Sequence, residues 1–358
     1  MMKTYLKFLI NNFFKSFIYI FFIMLSLVIV LNVLSEVEFF KNRDVSSFFP
    51  FYVSLLNSTD LIFEMYPFIF LLTTQVFFIN LFNNNQIQIF KYSGLKNSKI
   101  LYIISGTTFI LGILVITIFY SLSSNLKNIY LEIKNDYSMN NRYLAVITNN
   151  GLWIKDFIDE NTRIINASKI DQNYLEDVFI SEFDKNFNLK RNISSKKVDI
   201  KDNNWILDNP KIYIQNNSET LDKLIIKSNF NYLRIQNLFS NLSSLSLIEL
   251  FELRDNYKQI NYSTTEIDLQ LQKLVSFPFY FTLMTILAAI IMFNTKQFRS
   301  YSLKMTIGLF ICVIIYYINN FFYVLGDTGK IPLAAAVWVP LFLLLLINTK
   351  FILSINEK

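Results

Sequence analysis

Six apolar runs, three on either side of a polar middle of about 150 residues, constrain this chain more than any other feature. They span Phe17 to Val33, Phe63 to Phe82, Ile100 to Ser121, Val275 to Phe293, Ile307 to Val324 and Ile331 to Phe351. Each approaches or exceeds the ~20 helical residues that cross a bilayer. In lipid only a helix satisfies every backbone amide within one segment, and barrel strands would alternate polar and apolar residues, which Phe17 to Val33 does not do. The expected fold is therefore an α-helical polytopic membrane protein with six transmembrane helices, arranged three plus three, and an inserted domain.

Orientation follows from Lys and Arg in the short segments, because these residues resist translocation. Lys3, Lys7, Lys15, Lys91, Lys96, Lys99, Lys296, Arg299, Lys304, Lys350 and Lys358 fall on one side, against Lys41, Arg43 and Lys330 on the other. Both termini are expected in the cytoplasm and the insert outside it. The first run is followed by Glu36 and Glu38 and not by a small-residue cleavage site, so it reads as a retained helix.

The insert, Ser123 to Lys273, holds 19 basic and 20 acidic residues, so the net charge of +6 belongs to the membrane ends. With no recognition helix or RNA-binding motif beside it, that surplus excludes nucleic acid as a partner. Short alternating stretches bounded by Asn, Asp and Ser clusters read as half-buried antiparallel strands. They are Leu152 to Asp156, Thr162 to Ser168, Asp177 to Phe183, Lys196 to Lys201, Trp205 to Leu207, Lys211 to Gln215 and Lys223 to Lys227. An all-β domain of the jellyroll or open-sandwich kind fits this spacing, and a closed, self-packed sandwich fits equally well. After Ser240 the period returns to 3.6, with Leu245, Ile248, Leu250, Phe251 and Leu253 placed to share a face. The expected division is a membrane half at 1–122, a β domain at 123–240, a helical connection at 241–273 and a second membrane half at 274–358.

Several chemistries are excluded. There is no GxxxxGK[ST] phosphate cradle, so the chain does not hydrolyse ATP through one. It has no His, and its single cysteine, Cys312, lies within the fifth run as a small core residue, so neither His-based catalysis nor a His or thiolate metal site is available. The runs also lack the paired carboxylates of proton-coupled carriers. Energy for any transport has to come from a partner.

The loop Asn84-Asn85-Gln86-Ile87-Gln88-Ile89-Phe90-Lys91-Tyr92-Ser93-Gly94-Leu95 resembles the short cytoplasmic helix of the lipopolysaccharide export permeases LptF and LptG, whose pattern is roughly S-E-L-x-x-L-x-A-x-G. Pro67 sits where that family has a proline in its second span. Gly151-Leu152-Trp153-Ile154-Lys155-Asp156 resembles the GLWxxD run that opens the outer domain of LptG. The last hairpin, from Gly326 and Gly329 through Pro332, Ala336, Trp338 and Pro340, resembles the family's ending, and Pro278 fits the start of the fourth span.

The resemblance, closest to LptG, implies a permease subunit of an ATP-driven exporter that extracts lipopolysaccharide from the inner membrane and passes it to a periplasmic bridge. It implies a cytoplasmic LptB-like ATPase dimer that uses the ATP and Mg, an LptF-like sister permease, and LptC- and LptA-like bridge proteins. The chain itself would bind no cofactor and catalyse nothing. Two departures stand out: the family's coupling carboxylate falls on Gln86, and a basic residue near the outer end of the first span falls on Asn32.

The candidate ATPase-coupling residues are Gln86, Ile87, Phe90, Lys91 and Gly94 in a helix over about 84–95, with Ile87 and Phe90 as anchors at helical spacing. A plain membrane-surface loop is the competing reading. Lys41 and Arg43 are candidates for lipid phosphates, against simple interfacial snorkelling. Polar residues inside spans, Asn32, Asn319 and Asn320 among them, more often join helices than touch cargo. Two other functions compete with the permease. One is a membrane-anchored sensor or assembly scaffold, which would want longer cytoplasmic domains. The other is a macrolide- or lipoprotein-type permease, which would place its outer domain after the first span.

Overall fold

A computed structural model describes residues 4–41, 43–137, 152–158, 161–171, 173–185, 187–214, 217–232, 235, 241–259, 264–294 and 300–352. Lys3, Gly151, Gln215, Lys296, Arg299 and Lys358 lie outside these. The chain divides into two compact units, Met1–Tyr130 with Ser243–Leu250 and Thr264–Lys358, and Leu131–Leu242 with Phe251–Ser263.

Among the described residues, six helices are long and apolar enough to cross a membrane. Helix α1 (Thr4–Phe40) extends well beyond its apolar run at both ends. The second run is split: α2 (Phe49–Glu64) stops at Met65, whose N–H bonds back to Ile62 O at 3.1 Å, and α3 (Tyr66–Asn83) restarts with Pro67 near its N-terminus. Proline suits the first turn of a helix, where its missing N–H is no loss. The short α4 (Gln86–Tyr92) follows. The third span is continuous from α5 (Asn97–Leu114) through a π-helical turn at Val115–Phe119 into α6 (Tyr120–Asp136). After the insert come a 3-10 turn at Leu242–Ser244, α7 (Leu247–Gln259), α8 (Thr265–Asn294), α9 (Tyr301–Asp327) and α10 (Leu333–Ile352).

Helix α8 is the hub, packed on α3, α5, α9 and α10. Its apolar window is 78% buried, against 17% for α1 and 11% for α9. Gly112 lets α5 approach α8 closely, since a Cβ there would meet the Pro278 Cα at 3.0 Å. Between the same helices the Thr108 and Thr285 hydroxyls pair at 3.2 Å, satisfying both within a dry interface. Helices α1 and α9 turn long rows of large apolar side chains outward, Phe22, Leu31 and Leu34 on α1 and Phe310, Tyr317 and Phe321 on α9. Cys312 is fully buried.

Among the described residues, the second unit carries a nine-stranded antiparallel sheet. Its main path runs β1 (Leu152–Ile158), β2 (Asn161–Ala167), β4 (Tyr174–Phe183), β5 (Leu189–Asp199), β6 (Asn204–Asp208), β9 (Lys223–Lys227). Strand β3 (Lys169–Asp171) flanks β4, while β7 (Lys211–Ile214) pairs with β5 and β8 (Asn217–Thr220) with β7. Strand β5 begins at Leu189 and not at Lys196, because its first half pairs with both β4 and β7 and its second half with β4 and β6. Those pairings are non-local, and the polar text Lys190-Arg191-Asn192 carries no strand signal of its own. Alternate residues point into one core, including Ile154, Ile165, Ile180, Ile193 and Trp205, whose indole N–H donates to Phe230 O at 2.7 Å. A chain with an α-helical six-span membrane part and an inserted β domain is what the sequence pattern implies.

The helical connection departs from its expected single face. Leu250 and Leu253 are buried in α7, whereas Ile248 and Phe251 are exposed. Each pair lies three residues apart and so shares a direction, but the two pairs point apart on a 3.6-residue period.

Candidate functional site

Helix α4 is a seven-residue helix held on the membrane unit by one side and open on the other. It begins after Asn85, whose φ of 56° turns the chain sharply out of α3. It ends on a Schellman cap: the Leu95 N–H bonds to Phe90 O at 2.9 Å and the Gly94 N–H to Lys91 O at 3.0 Å. Gly94 has a φ of 77°, which a side chain would strain. The cap therefore explains why glycine occurs at this position.

The five candidate residues do come together on this element. Ile87 is turned into the membrane unit and is 4% exposed. Phe90 is half-buried, its ring meeting Phe8 of α1 edge-on at 6.0 Å. Gln86 is half-buried and lines an open groove of about 620 Å³ with Lys15, Ser16, Asn80 and Asn84. Lys91 and Gly94 are exposed. Thus Ile87 fixes α4 to its own chain, and Phe90 does so in part. The outward face instead carries Ile89, 58% exposed, and Tyr92, 89% exposed. The helical reading of this loop implies those two positions only once the buried side is known.

Lys41 and Arg43 stand at the other end of α1, separated from Phe8 by ~50 Å of helix at 1.5 Å per residue. Lys41 is exposed. The Arg43 guanidinium lies 3.7 Å from the Phe39 ring centroid, a cation–π contact, and its Nη1 has no hydrogen-bond partner.

Asn32 joins helices. Its amide donates to Ser54 O at 3.0 Å and its Oδ1 accepts from Asn57 Nδ2 at 3.1 Å. The Lys127 ammonium of α6 then donates to Asn57 Oδ1 at 2.6 Å and pairs with Asp60 at 3.2 Å, and Ser243 donates to Asp60 as well. Nearby, Tyr130 donates to the buried Glu36 at 3.0 Å. One polar chain therefore ties α1, α2 and α6 together at this end. No local pattern in the sequence announces Lys127 or Asp60 as partners, since the contact exists only after α2 and α6 pack.

The family described as "Lipopolysaccharide export system permease LptF/LptG" matches residues 7–354, nearly the full chain. The chain belongs to the LptF/LptG family. No curated protein matches it. As an LptF/LptG permease it is a multi-pass inner-membrane component of lipopolysaccharide export and not by itself an enzyme. Among its spans α1 and α9 are the least covered, with apolar side chains turned outward.

Proposed function

We propose that this chain is an LptG-type permease half that moves lipopolysaccharide out of the inner membrane when a separate cytoplasmic ATPase engages α4. The observation that carries the reading is α4 itself, a capped helix docked on α1 through Phe8 and Phe90 with Ile89 and Tyr92 left outward. An apolar and aromatic face of that kind fits a groove on a partner. Because Phe90 touches α1, a displacement of α4 by the nucleotide cycle is passed directly to a span whose apolar face is outward.

In this reading both termini and α4 are cytoplasmic and the β domain is periplasmic, where it receives the expelled lipid and passes it to LptC- and LptA-like bridge proteins. A sister permease of the LptF type supplies the second half of the chamber, and its alternation follows from binding and hydrolysis in the ATPase dimer. Gln86 makes the docking less electrostatic than a carboxylate would, because an amide hydrogen-bonds without carrying charge. Lys41 and Arg43 contact the lipid phosphates. Arg43 brings a planar, charged guanidinium to such a contact from its place on the Phe39 ring.

The test is co-purification. The tagged chain should bring down an LptB-like ATPase and lipopolysaccharide, and Ile89→Asp with Tyr92→Asp, on the outward face of α4, should abolish recovery of the ATPase while the permease remains monodisperse. Unchanged recovery with that double variant removes α4 as the handle. Mapping of accessibility with single cysteines, in a Cys312→Ala background, should label Lys3→Cys and Lys91→Cys from the same side of the membrane.

A further inference from the structure

A second cavity lies inside the membrane unit, where α2 meets α3 and both face α8, α9 and α10. Its volume is about 160 Å³. Pockets that enclose whole drug-sized ligands run to roughly 300–1,000 Å³, so this one takes a headgroup and not a lipid disaccharide.

The lining has both charges and several polar side chains. At the rim Lys273 Nζ reaches both Glu64 oxygens, at 2.9 and 3.3 Å, and lies 5.3 Å from the Tyr323 ring. The two side chains are 27% and 45% exposed, and pairs so open to solvent add little stability. Holding α2 to α8 therefore gives a weak reason for the pair. Deeper in, Tyr280 is 7% exposed, and its hydroxyl lies beside the Asn319 side chain. Opposite it, α9 lines the cavity with Tyr316, Asn319, Asn320 and Tyr323, spaced so that all four lie on one helical stripe. Val337 and Leu341 of α10 close the apolar side.

We propose that this cavity binds the headgroup of a zwitterionic phospholipid, its ammonium at Glu64, its phosphate at Lys273 and the α9 stripe, and its acyl chains leaving along α10. A purely anionic headgroup meets Glu64 and a cationic one meets Lys273, whereas a group carrying both signs in sequence matches the pair. The inference is independent of export, as it concerns a lipid held within one permease chain.

Native mass spectrometry of the full chain, exchanged into phosphatidylethanolamine or phosphatidylglycerol, tests it. The chain should retain one phosphatidylethanolamine under activation that strips other lipids, and retain phosphatidylglycerol at least tenfold less. Glu64→Gln with Lys273→Gln should cut phosphatidylethanolamine retention about tenfold. Val337→Phe fills the cavity without touching the charges and should do the same, which separates lost binding from a lost ion pair. Equal retention of the two lipids, or wild-type retention by either variant with the chain still monodisperse, overturns the proposal. So does a double variant that melts earlier but keeps its lipid, which would make the pair a structural tie only.

Discussion

Gln75, fully buried in α3, occupies the space that a side chain at Gly308 of α9 would need. Its amide donates to the Lys304 carbonyl at 3.0 Å, while the Lys304 ammonium turns back to Met292 O at 3.1 Å. The lysine therefore sits over the C-terminal carbonyls of α8, where the helix dipole favours a cation. Together these contacts fasten the first turn of α9 to α3 and α8, although α9 is otherwise sparsely covered.

Gly308→Ala should thus destabilise the chain by about 1–3 kcal/mol, the usual cost of overpacking, because the Gln75 side chain must move and lose its bond. In a Gln75→Ala background the same change should be nearly neutral. Thermal melting in detergent of the two single variants and the double variant checks this; additive losses would show that the two residues are not in contact.

Lys127 is the only cation drawn into the chain of Asn32, Asn57 and Asp60 among the described residues, and both ends of its ion pair are largely buried. Removing one member of such a pair leaves the other uncompensated, at about 3–5 kcal/mol. Lys127→Met should lower the melting temperature sharply, and adding Asp60→Asn should restore much of it. A double variant no better than the single would place the loss in packing and not in charge.

In the β domain Glu182 receives Arg191 and Arg163, and Arg163 also donates to Lys227 O at 2.6 Å. Burial pushes the Glu182 carboxyl up, but the Arg191 hydrogen bond and the charges of both arginines outweigh it, holding the group below its ordinary range. A carboxylate lowered on folding stabilises fully above its unfolded value, about 4.3 for glutamate, and loses that contribution as pH falls through the folded value. Unfolding followed by tryptophan fluorescence should show wild-type stability declining below about pH 4, with a smaller decline in Glu182→Gln.

Gly94→Val should strain the left-handed cap of α4 by about 1–2 kcal/mol. Recovery of the ATPase should fall without loss of the permease. Gly106→Ala is the control, since its site is open and its φ is ordinary. If both variants recover the ATPase as wild type does, the α4 conformation is irrelevant to docking.

The number of spans, their three-plus-three division and the β character of the insert were legible because each rests on a local requirement. A bilayer demands about 20 apolar residues in a row, and a half-buried strand demands alternation. The Gly94 cap belongs with these, since a helix end in the left-handed region favours glycine whatever surrounds it. Which side of α4 is buried was not legible, as Ile87, Ile89 and Phe90 are all apolar and only their packing on the rest of the membrane unit separates them. The same holds for α1 and α9, where nearly every position is apolar and periodicity carries no direction. Contacts such as Gln75 with Lys304, 229 residues apart, or Lys127 with Asp60, join segments whose own text says nothing of one another. Local chemistry therefore determined which elements form and that they cross a membrane. Tertiary packing alone decided which faces are left over for a partner, because that depends on which helices meet.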